Sequence, residues 1–311
     1  MAAAPPVILA LPILGLADTL REAGFEVVEW RRGRNDDEVL EVAGRIEVLV
    51  TVGSRALPDA PMDAARRLGL ILCLGAGYER FDPAGLAARG VRLANCGGLN
   101  AADVADLAIG LVIASHRRII DGDHWVRQGA WPRQNVLTRR VGGRRLGIVG
   151  LGAIGDAVAR RAQAMDMSIC WSGPNPKQAP WPRVASSLAL AEWADVLVIC
   201  SRATEANRAL IDRATLDALG PQGLLVNISR GSLVDEDALI GALKEGRLGA
   251  AALDVFAEEP TDPARWREVP NLILQPHHGG STYESIDEAK ALVVENIRRF
   301  TSGRQLISAL N

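Results

Sequence analysis

The segment 150–155 carries the clearest chemical signal in the chain. It reads GLGAIG, so its three glycines have the G-x-G-x-x-G spacing, between a predicted apolar strand and a predicted amphipathic helix. In such loops the glycines permit a tight turn, a close approach of a pyrophosphate and close helix–strand packing, and the helix N-terminus offers free N–H groups to the anion. The segment predicts a dinucleotide site, with a purely structural glycine turn as the alternative. The predicted contacts are Gly150, Gly152, Ala153, Ile154 and Gly155.

The residues about 20 positions further along select the dinucleotide. An acidic side chain there would bind the ribose 2′-hydroxyl of NAD and would repel a 2′-phosphate. No Asp or Glu occurs between residues 167 and 191, whereas Ser172 and Asn175 can donate hydrogen bonds and Lys177 can supply positive charge. Arg202, after the next predicted strand, is a further candidate, and Lys177 could equally be a solvated loop lysine. We therefore expect NADP(H) to be preferred, with NAD(H) possible.

Three ionisable residues of different types follow the ends of three later predicted strands. They are Arg230, Glu259 and His277. In doubly wound sheets ligands bind outside the carboxyl ends of the strands, so these side chains are candidates for one shared site. Taken singly, each is also compatible with a surface arginine, a loop glutamate or a capping histidine.

Short apolar runs alternate with longer amphipathic stretches along the whole chain, which implies parallel sheets covered by helices on both faces. Predicted strands lie at residues 7–11, 26–30, 46–51, 70–74 and 91–95, and then at 146–149, 168–171, 196–200, 224–228, 251–255 and 272–275. A largely apolar helix over residues 101–115 would join two units, and a helix over residues 283–300 would return to the first. We predict an α/β protein of two doubly wound parallel-sheet domains, residues 1–98 with 284–311 and residues 99–283.

Composition excludes several classes of protein. The 311 residues include 35 basic and 37 acidic ones, and a net charge of −2 gives no general attraction to nucleic acid or to an anionic membrane. The four cysteines form no C-x-x-C pair, so we expect neither a disulfide framework nor a metal site. The apolar stretch 7–17 follows no basic residue and is too short to span a bilayer, which favours a cytoplasmic protein. The irregular Trp- and Arg-rich stretch 125–145 suggests an arm for a homodimer, with a solvated loop as the alternative.

Four segments together resemble the D-isomer-specific 2-hydroxyacid dehydrogenases. They read GLGAIG (150–155), NISRGSLVDE (227–236), LDVFAEEP (253–260) and PHHGGS (276–281). The chain is most similar to the glyoxylate/hydroxypyruvate reductase and hydroxyphenylpyruvate reductase branch, and the likeness extends over essentially the whole chain. It implies a flavodoxin-like substrate domain, a Rossmann cofactor domain and a cleft between them.

The resemblance also implies roles for the three ionisable residues. The family reduces a 2-oxoacid by hydride transfer from a nicotinamide, and His277 would protonate the developing alkoxide as general acid. Glu259 would fix the imidazole tautomer and raise its pKa, and Arg230 would hold the substrate carboxylate and polarise the ketone. The family usually has an apolar residue where this chain has His278. We expect His277 to be the acid because it directly follows Pro276, with His278 as the less favoured alternative.

Further contacts are implied by the same resemblance. Main-chain N–H groups of the segment Val52, Gly53 and Ser54 would bind the substrate carboxylate, and Gly77 ends the neighbouring strand as another substrate contact. The remaining expected cofactor contacts are Ile228 and Asp254, of which Asp254 would contact the nicotinamide carboxamide. A non-catalytic NAD(P)(H)-sensing or corepressor-type protein on the same fold is the competing function, because such relatives can keep the three ionisable residues.

Overall fold

Apolar strands alternating with amphipathic helices build two parallel sheets. The structure is a computed structural model that describes residues 6–13, 15–31, 35–53, 59–131 and 136–311. The chain divides into two compact units, Met1–Asn100 with Thr282–Asn311, and Ala101–Ser281. The domain limits predicted from the sequence lie two residues from these divisions.

The first unit contains a five-stranded sheet in which every neighbouring pair is parallel. Its strands are β1 (Val7–Ala10), β2 (Glu26–Glu29), β3 (Ile46–Thr51), β4 (Leu70–Cys73) and β5 (Arg92–Asn95). The order β2-β1-β3-β4-β5 is the flavodoxin-like one. The strands β1, β3 and β4 at the centre are almost wholly buried, as their largely apolar sequences predict.

Helices cover this sheet, with the C-terminal helix returning to the first unit. They are α1 (Leu16–Glu22), α2 (Asp36–Val42), α3 (Asp59–Ala64), α4 (Pro83–Ala88) and, from the chain end, α11 (Tyr283–Thr301), with a short 3₁₀ helix at Ala43–Arg45. Thr282 caps α11 by accepting a hydrogen bond from the Ser285 N–H at 3.0 Å. Ala289, Val293 and Ile297 recur every four residues on its buried face.

The second unit contains a six-stranded parallel sheet. Its strands are β6 (Arg145–Val149), β7 (Ser168–Ser172), β8 (Val196–Ile199), β9 (Leu224–Asn227), β10 (Ala250–Leu253) and β11 (Leu272–Leu274). The order is β11-β10-β9-β8-β6-β7, so the direction of winding reverses between β6 and β8. A parallel bridge between Trp171 and Arg183 adds one further pairing outside β7, at the place of the third strand in the Rossmann order. Both predicted sheets and the predicted fold class are confirmed.

Six helices accompany the second sheet. They are α5 (Ala101–Arg117), α6 (Ile119–Arg127), α7 (Ala153–Ala164), α8 (Ser187–Trp193), α9 (Arg213–Leu219) and α10 (Glu236–Lys244), with short 3₁₀ turns at Glu205–Asn207, Gly231–Leu233 and Pro263–Arg265. The apolar α5 packs against α7 and the sheet, whereas α6 buries none of its residues. The prediction of irregular structure from residue 125 onward was therefore wrong for its first three residues, which end α6. Within the described ranges, no helix has the length and apolar character needed to cross a membrane.

Candidate active site

The glycine loop lies at the carboxyl end of β6, where the winding of the sheet reverses. Gly150 has φ +95°, and a side chain there would meet the Ser201 backbone at 2.6 Å. A Cβ at Gly155 would lie 2.3 Å from the Gly150 carbonyl oxygen, so the close approach of helix and loop requires glycine. Gly152 is the N-cap residue of α7 and has no side chain to cap the helix, and a Cβ there would meet open space. The loop thus leaves backbone N–H groups and room for an anion, which fits a dinucleotide pyrophosphate.

The predicted ribose contacts are distributed over two strands. Ser172 ends β7 and is only 3% exposed, and its carbonyl accepts a hydrogen bond from the Gly150 N–H at 2.8 Å. Asn175 and Lys177 are exposed in the loop after β7. Arg202 follows β8, which is separated from β7 by β6, or about 10 Å between strand axes. The structure therefore places Asn175 and Lys177, but not Arg202, after the strand that carries the ribose-binding position.

The loop after β9 presents Arg230. Asn227 is buried and holds this loop, because its Nδ2 donates to the Arg230 carbonyl at 3.0 Å and its Oδ1 accepts from the Ser229 N–H at 3.1 Å. A Cβ at Gly231 would lie 1.9 Å from the carbonyl carbon of Phe256. The Arg230 loop and the loop that leads to Glu259 are therefore in backbone contact, which only glycine at position 231 permits.

Glu259 and His277 meet directly. His277 Nδ1 lies 2.8 Å from Glu259 Oε2, and Glu259 Oε1 accepts a hydrogen bond from the Phe256 N–H at 3.0 Å. With Nδ1 as the donor to the carboxylate, Nε2 on the opposite side of the ring is left to interact with a ligand. Both side chains are partly exposed, 45% for His277 and 37% for Glu259, so the pair is accessible to substrate.

Electrostatics favour the charged form of both partners. The hydrogen bond to Glu259 raises the pKa of His277, and the negative charges of Glu259 and Asp254 raise it further. Burial and the positive charge of Arg230 act to lower this pKa, but the net change is upward. Burial acts to raise the pKa of Glu259, but the hydrogen bonds from His277 and the Phe256 N–H, with the charges of His277 and Arg230, hold that pKa below its usual value. The charge of Arg230 thus acts on both partners.

Asp254 fixes the backbone that carries His277. Its carboxylate is 1% exposed and accepts hydrogen bonds from the N–H groups of His278 at 2.8 Å and Gly279 at 2.9 Å, while its carbonyl accepts from the His277 N–H at 2.8 Å. His277 adopts φ +57°, a conformation that is uncommon for a residue with a side chain. The anchored loop pairs His277, rather than His278, with Glu259.

Glu236 is a supporting residue that the sequence analysis did not identify. This buried carboxylate, at the start of α10, accepts a hydrogen bond from the Ala257 N–H at 2.7 Å and lies 3.4 Å from the Arg265 Nε. It therefore holds the loop between β10 and Glu259. Its sequence position indicated only the start of a helix, because acidic residues are common in a first helical turn.

Comparisons with known proteins agree with this geometry. Residues 109–279, over half of the chain, match the family model for "D-isomer specific 2-hydroxyacid dehydrogenase, NAD binding domain". The chain belongs to this family.

Three relatives extend the likeness to the whole chain. Hydroxyphenylpyruvate reductase from Plectranthus scutellarioides is 40% identical over 282 residues, covering 90% of each protein. A glyoxylate/hydroxypyruvate reductase from Arabidopsis thaliana is 39% identical over 308 residues, covering 97% of each. The crystal structure of the NADPH-dependent glyoxylate/hydroxypyruvate reductase from Sinorhizobium meliloti, with NADP and malonate, has a TM-score of 0.90 at 30% identity and covers 99% of this chain and 97% of that one. This 2-hydroxyacid dehydrogenase is accordingly an NAD(P)-dependent oxidoreductase.

The predicted substrate-binding backbone of this dehydrogenase lies in the first unit, at the ends of β3 and β4. A Cβ at Gly53 would lie 1.9 Å from the Gly77 carbonyl oxygen, so these two segments approach more closely than any side chain would permit. Val52 is half-buried, and Ser54 lies outside the described residues. In the second unit, Ile228 is buried directly after β9. The contacts predicted for these residues, and that of Asp254 with the nicotinamide, stay predictions.

Proposed function

We propose that this dehydrogenase is a D-specific reductase of small 2-oxoacids, with glyoxylate and hydroxypyruvate as the leading substrates and NADPH as the preferred cofactor. The observation that carries the proposal is the hydrogen bond between His277 and Glu259, with Arg230 close enough to influence both pKa values. The names of the Arabidopsis and Sinorhizobium relatives support this substrate class.

His277 is the proton donor in this proposal. Its raised pKa keeps a proton available near neutral pH, and the Nδ1 contact with Glu259 leaves Nε2 to face the substrate oxygen. The bound nicotinamide supplies the hydride that converts the keto carbon to an alcohol. His277 protonates the oxygen that becomes the hydroxyl group, and it takes this proton back in the oxidation direction. Glu259 stabilises the imidazolium and fixes the orientation of the ring.

Arg230 binds the substrate in this proposal. Its planar guanidinium matches the two oxygens of a 2-oxoacid carboxylate and can also polarise the adjacent ketone. The buried Asn227 and the glycine at position 231 hold the loop so that this side chain lies after β9, at the carboxyl ends of the strands. A carboxylate ligand for the guanidinium explains why an arginine, rather than a lysine, is present here.

The preference for NADPH rests on the residues after β7. That stretch offers Asn175 and Lys177 and has no carboxylate that would repel a 2′-phosphate. The Sinorhizobium relative is described as NADPH-dependent. Both observations favour NADPH over NADH.

The test is a panel of 2-oxoacids with each reduced cofactor, followed as absorbance at 340 nm. We expect turnover with glyoxylate or hydroxypyruvate, a lower KM for NADPH than for NADH, and a D-configured alcohol where the product is chiral. Turnover that favours NADH would contradict the cofactor preference alone. Tight dinucleotide binding without turnover on any 2-oxoacid would instead support the non-catalytic sensing protein.

We further propose that the enzyme is a homodimer that buries the exposed apolar side chains of α6 and of residues 131, 136 and 137. Large apolar side chains are exposed there, including Val126 at 61%, Trp131 at 76% and Leu137 at 89%. Sedimentation analysis of the wild type should show a dimer, and Val126→Arg combined with Leu137→Asp should show a monomer. A monomeric wild type would contradict the proposal. The cytoplasmic location stays a prediction.

A further inference from the structure

Gly173 occupies the position at which NAD-binding domains carry an acidic residue. It directly follows β7, and a Cβ there would lie 3.9 Å from the Cα of Gly150 in the phosphate-binding loop. In a dinucleotide-binding domain this position borders the adenosine ribose of the cofactor. The backbone of Gly173 therefore marks where a ribose 2′-substituent would lie.

A return segment brings a second part of the chain to the same place. The Trp171 N–H donates to the Pro182 carbonyl at 3.0 Å, and the Val184 N–H donates to the Trp171 carbonyl at 2.8 Å. The indole Nε1 of Trp171 also donates to the Trp181 carbonyl at 3.1 Å. These bonds hold residues 181–184 along the outer side of β7 and fix the backbone position of Arg183.

The Arg183 side chain reaches the ribose position. Its Nη2 donates to the Gly173 carbonyl at 2.6 Å, and its guanidinium lies over the Trp171 ring, 5.5 Å from the centroid. The side chain is exposed, and within the described ranges no carboxylate pairs with it. A guanidinium has five N–H donors in a rigid plane, so one hydrogen bond to Gly173 leaves donors for a phosphate.

We propose that Arg183 is the residue that recognises the 2′-phosphate of NADP(H) and so determines the cofactor preference of this enzyme. The inference rests on the proposed function for the preference itself, but it assigns that preference to a residue not considered from the sequence. Lys177 is the nearest competitor, yet no contact among the described residues orients its ammonium group. Arg202 follows β8, which lies two positions from β7 in the sheet, so it is further from Gly173 than Arg183 is.

The experiment measures dissociation constants of NADP⁺ and NAD⁺ by calorimetry, without substrate, for the wild type, Arg183→Gln, Arg183→Lys and the control Arg89→Gln, at an exposed arginine of the first unit. We expect Arg183→Gln to weaken NADP⁺ binding by about 10- to 100-fold, as for the loss of charge-assisted hydrogen bonds, and to change NAD⁺ binding by less than about threefold. Arg183→Lys should lose part of the NADP⁺ affinity, because it keeps the charge but not the planar fork. Arg89→Gln should leave both constants nearly unchanged.

The outcomes separate this inference from the proposed function. Equal weakening of both cofactors in Arg183→Gln would mean that Arg183 only braces the Gly173 loop, and unchanged NADP⁺ binding would assign the 2′-phosphate elsewhere; either result overturns the inference. If Arg183→Gln does not fold, Arg183→Lys decides by the same selective loss. The wild-type ratio of the two constants tests the cofactor preference, and turnover of 2-oxoacids tests the reductase, so each can fail without the other.

Discussion

Two histidines lie near opposite edges of the six-stranded sheet, one at the edge where the strands end and one at the edge where they begin. His277 follows β11 at the carboxyl ends of the strands, whereas His116, near the end of α5, lines a cavity of about 590 Å³ beside the first residues of β9, β10 and β11. Each has an arginine nearby: Arg230 acts electrostatically on His277, and Arg139 acts on His116. The two edges therefore offer similar residue types in different surroundings.

The difference lies in the carboxylate partner. Burial lowers the pKa of His116, and the charges of Arg144 and Arg139 lower it further, against a hydrogen bond to the Val112 backbone and the charge of Asp195. His116 Nε2 has no hydrogen-bond partner among the described residues. His277 has a carboxylate on Nδ1, and its pKa is raised. Burial and nearby arginines thus lower the pKa of His116, whereas a directly bonded glutamate raises the pKa of His277.

Replacing His277 should have the largest effect on catalysis. We expect His277→Ala to lower kcat for glyoxylate reduction by roughly 10²- to 10⁴-fold, the usual loss when a positioned general acid is removed. His278→Ala is the matched control, because His278 is exposed and its hydrogen bonds with Asp254 and Ser281 come from its backbone. Steady-state kinetics on both variants, with circular dichroism to confirm folding, would contradict our assignment if His278→Ala lost the activity instead.

Replacing the arginine at each edge sharpens the comparison. Arg230→Gln should lower kcat/KM for glyoxylate by about 10²- to 10³-fold, because the site would lose a charged donor to the carboxylate and the developing alkoxide. Arg139→Gln is the control at the amino ends, where Arg139 pairs with the side chain of Gln222, and should leave kcat/KM unchanged. Equal losses in the two variants would indicate that either arginine acts through stability alone.

Removing the carboxylate should shift the pH dependence of catalysis. In the proposed mechanism the reduction requires protonated His277, so we expect its rate to fall as pH rises through the pKa of His277, which lies above the ordinary 6.5. Glu259→Gln removes the main cause that raises this pKa, and the falling limb should move to lower pH. At a fixed alkaline pH, the rate of Glu259→Gln should be about tenfold lower for each pH unit by which its falling limb has moved.

Profiles of kcat against pH for the wild type, Glu259→Gln and Glu258→Gln would test this. Glu258 is the exposed neighbour of Glu259 and serves as the control. A falling limb that stays in place in Glu259→Gln would show that the carboxylate orients the ring without setting its pKa.

The sequence predicts the sheets better than the connections between them. The strand β3, Ile46–Thr51, has the predicted bounds, because a buried strand in a parallel sheet is largely apolar and the charged Glu47 is only half-buried. The last three residues of α6 were predicted to be irregular. A helix that buries none of its residues needs no regularly spaced apolar side chains, so the sequence shows no helical pattern there. The return segment at Arg183 was missed too, because Pro180 and Pro182 interrupt any strand pattern there. Pro182 pairs through its carbonyl, which needs no N–H.

At the site, strand order predicted that Arg230, Glu259 and His277 follow neighbouring strands. The choice between His277 and His278 could not come from such a pattern, because it depends on a left-handed backbone at His277 and on the Asp254 carboxylate binding the next two N–H groups. Contacts of this kind join residues more than 20 positions apart, and no local periodicity encodes them.

The smallest expected effect belongs to His116 and concerns stability. Its pKa in the folded protein is lowered from 6.5, so below that pH the unfolded chain binds a proton that the folded chain does not. The free energy of unfolding therefore falls as pH falls from 6.5 through the lowered value, and this contribution is absent in His116→Leu. Urea unfolding at pH 7 and pH 5 should show a smaller loss of stability for His116→Leu than for the wild type, while kcat at pH 7 stays the same. An equal loss in both proteins would mean that His116 already takes up its proton in the folded state, and the contrast between the two edges would then rest on the glutamate partner alone.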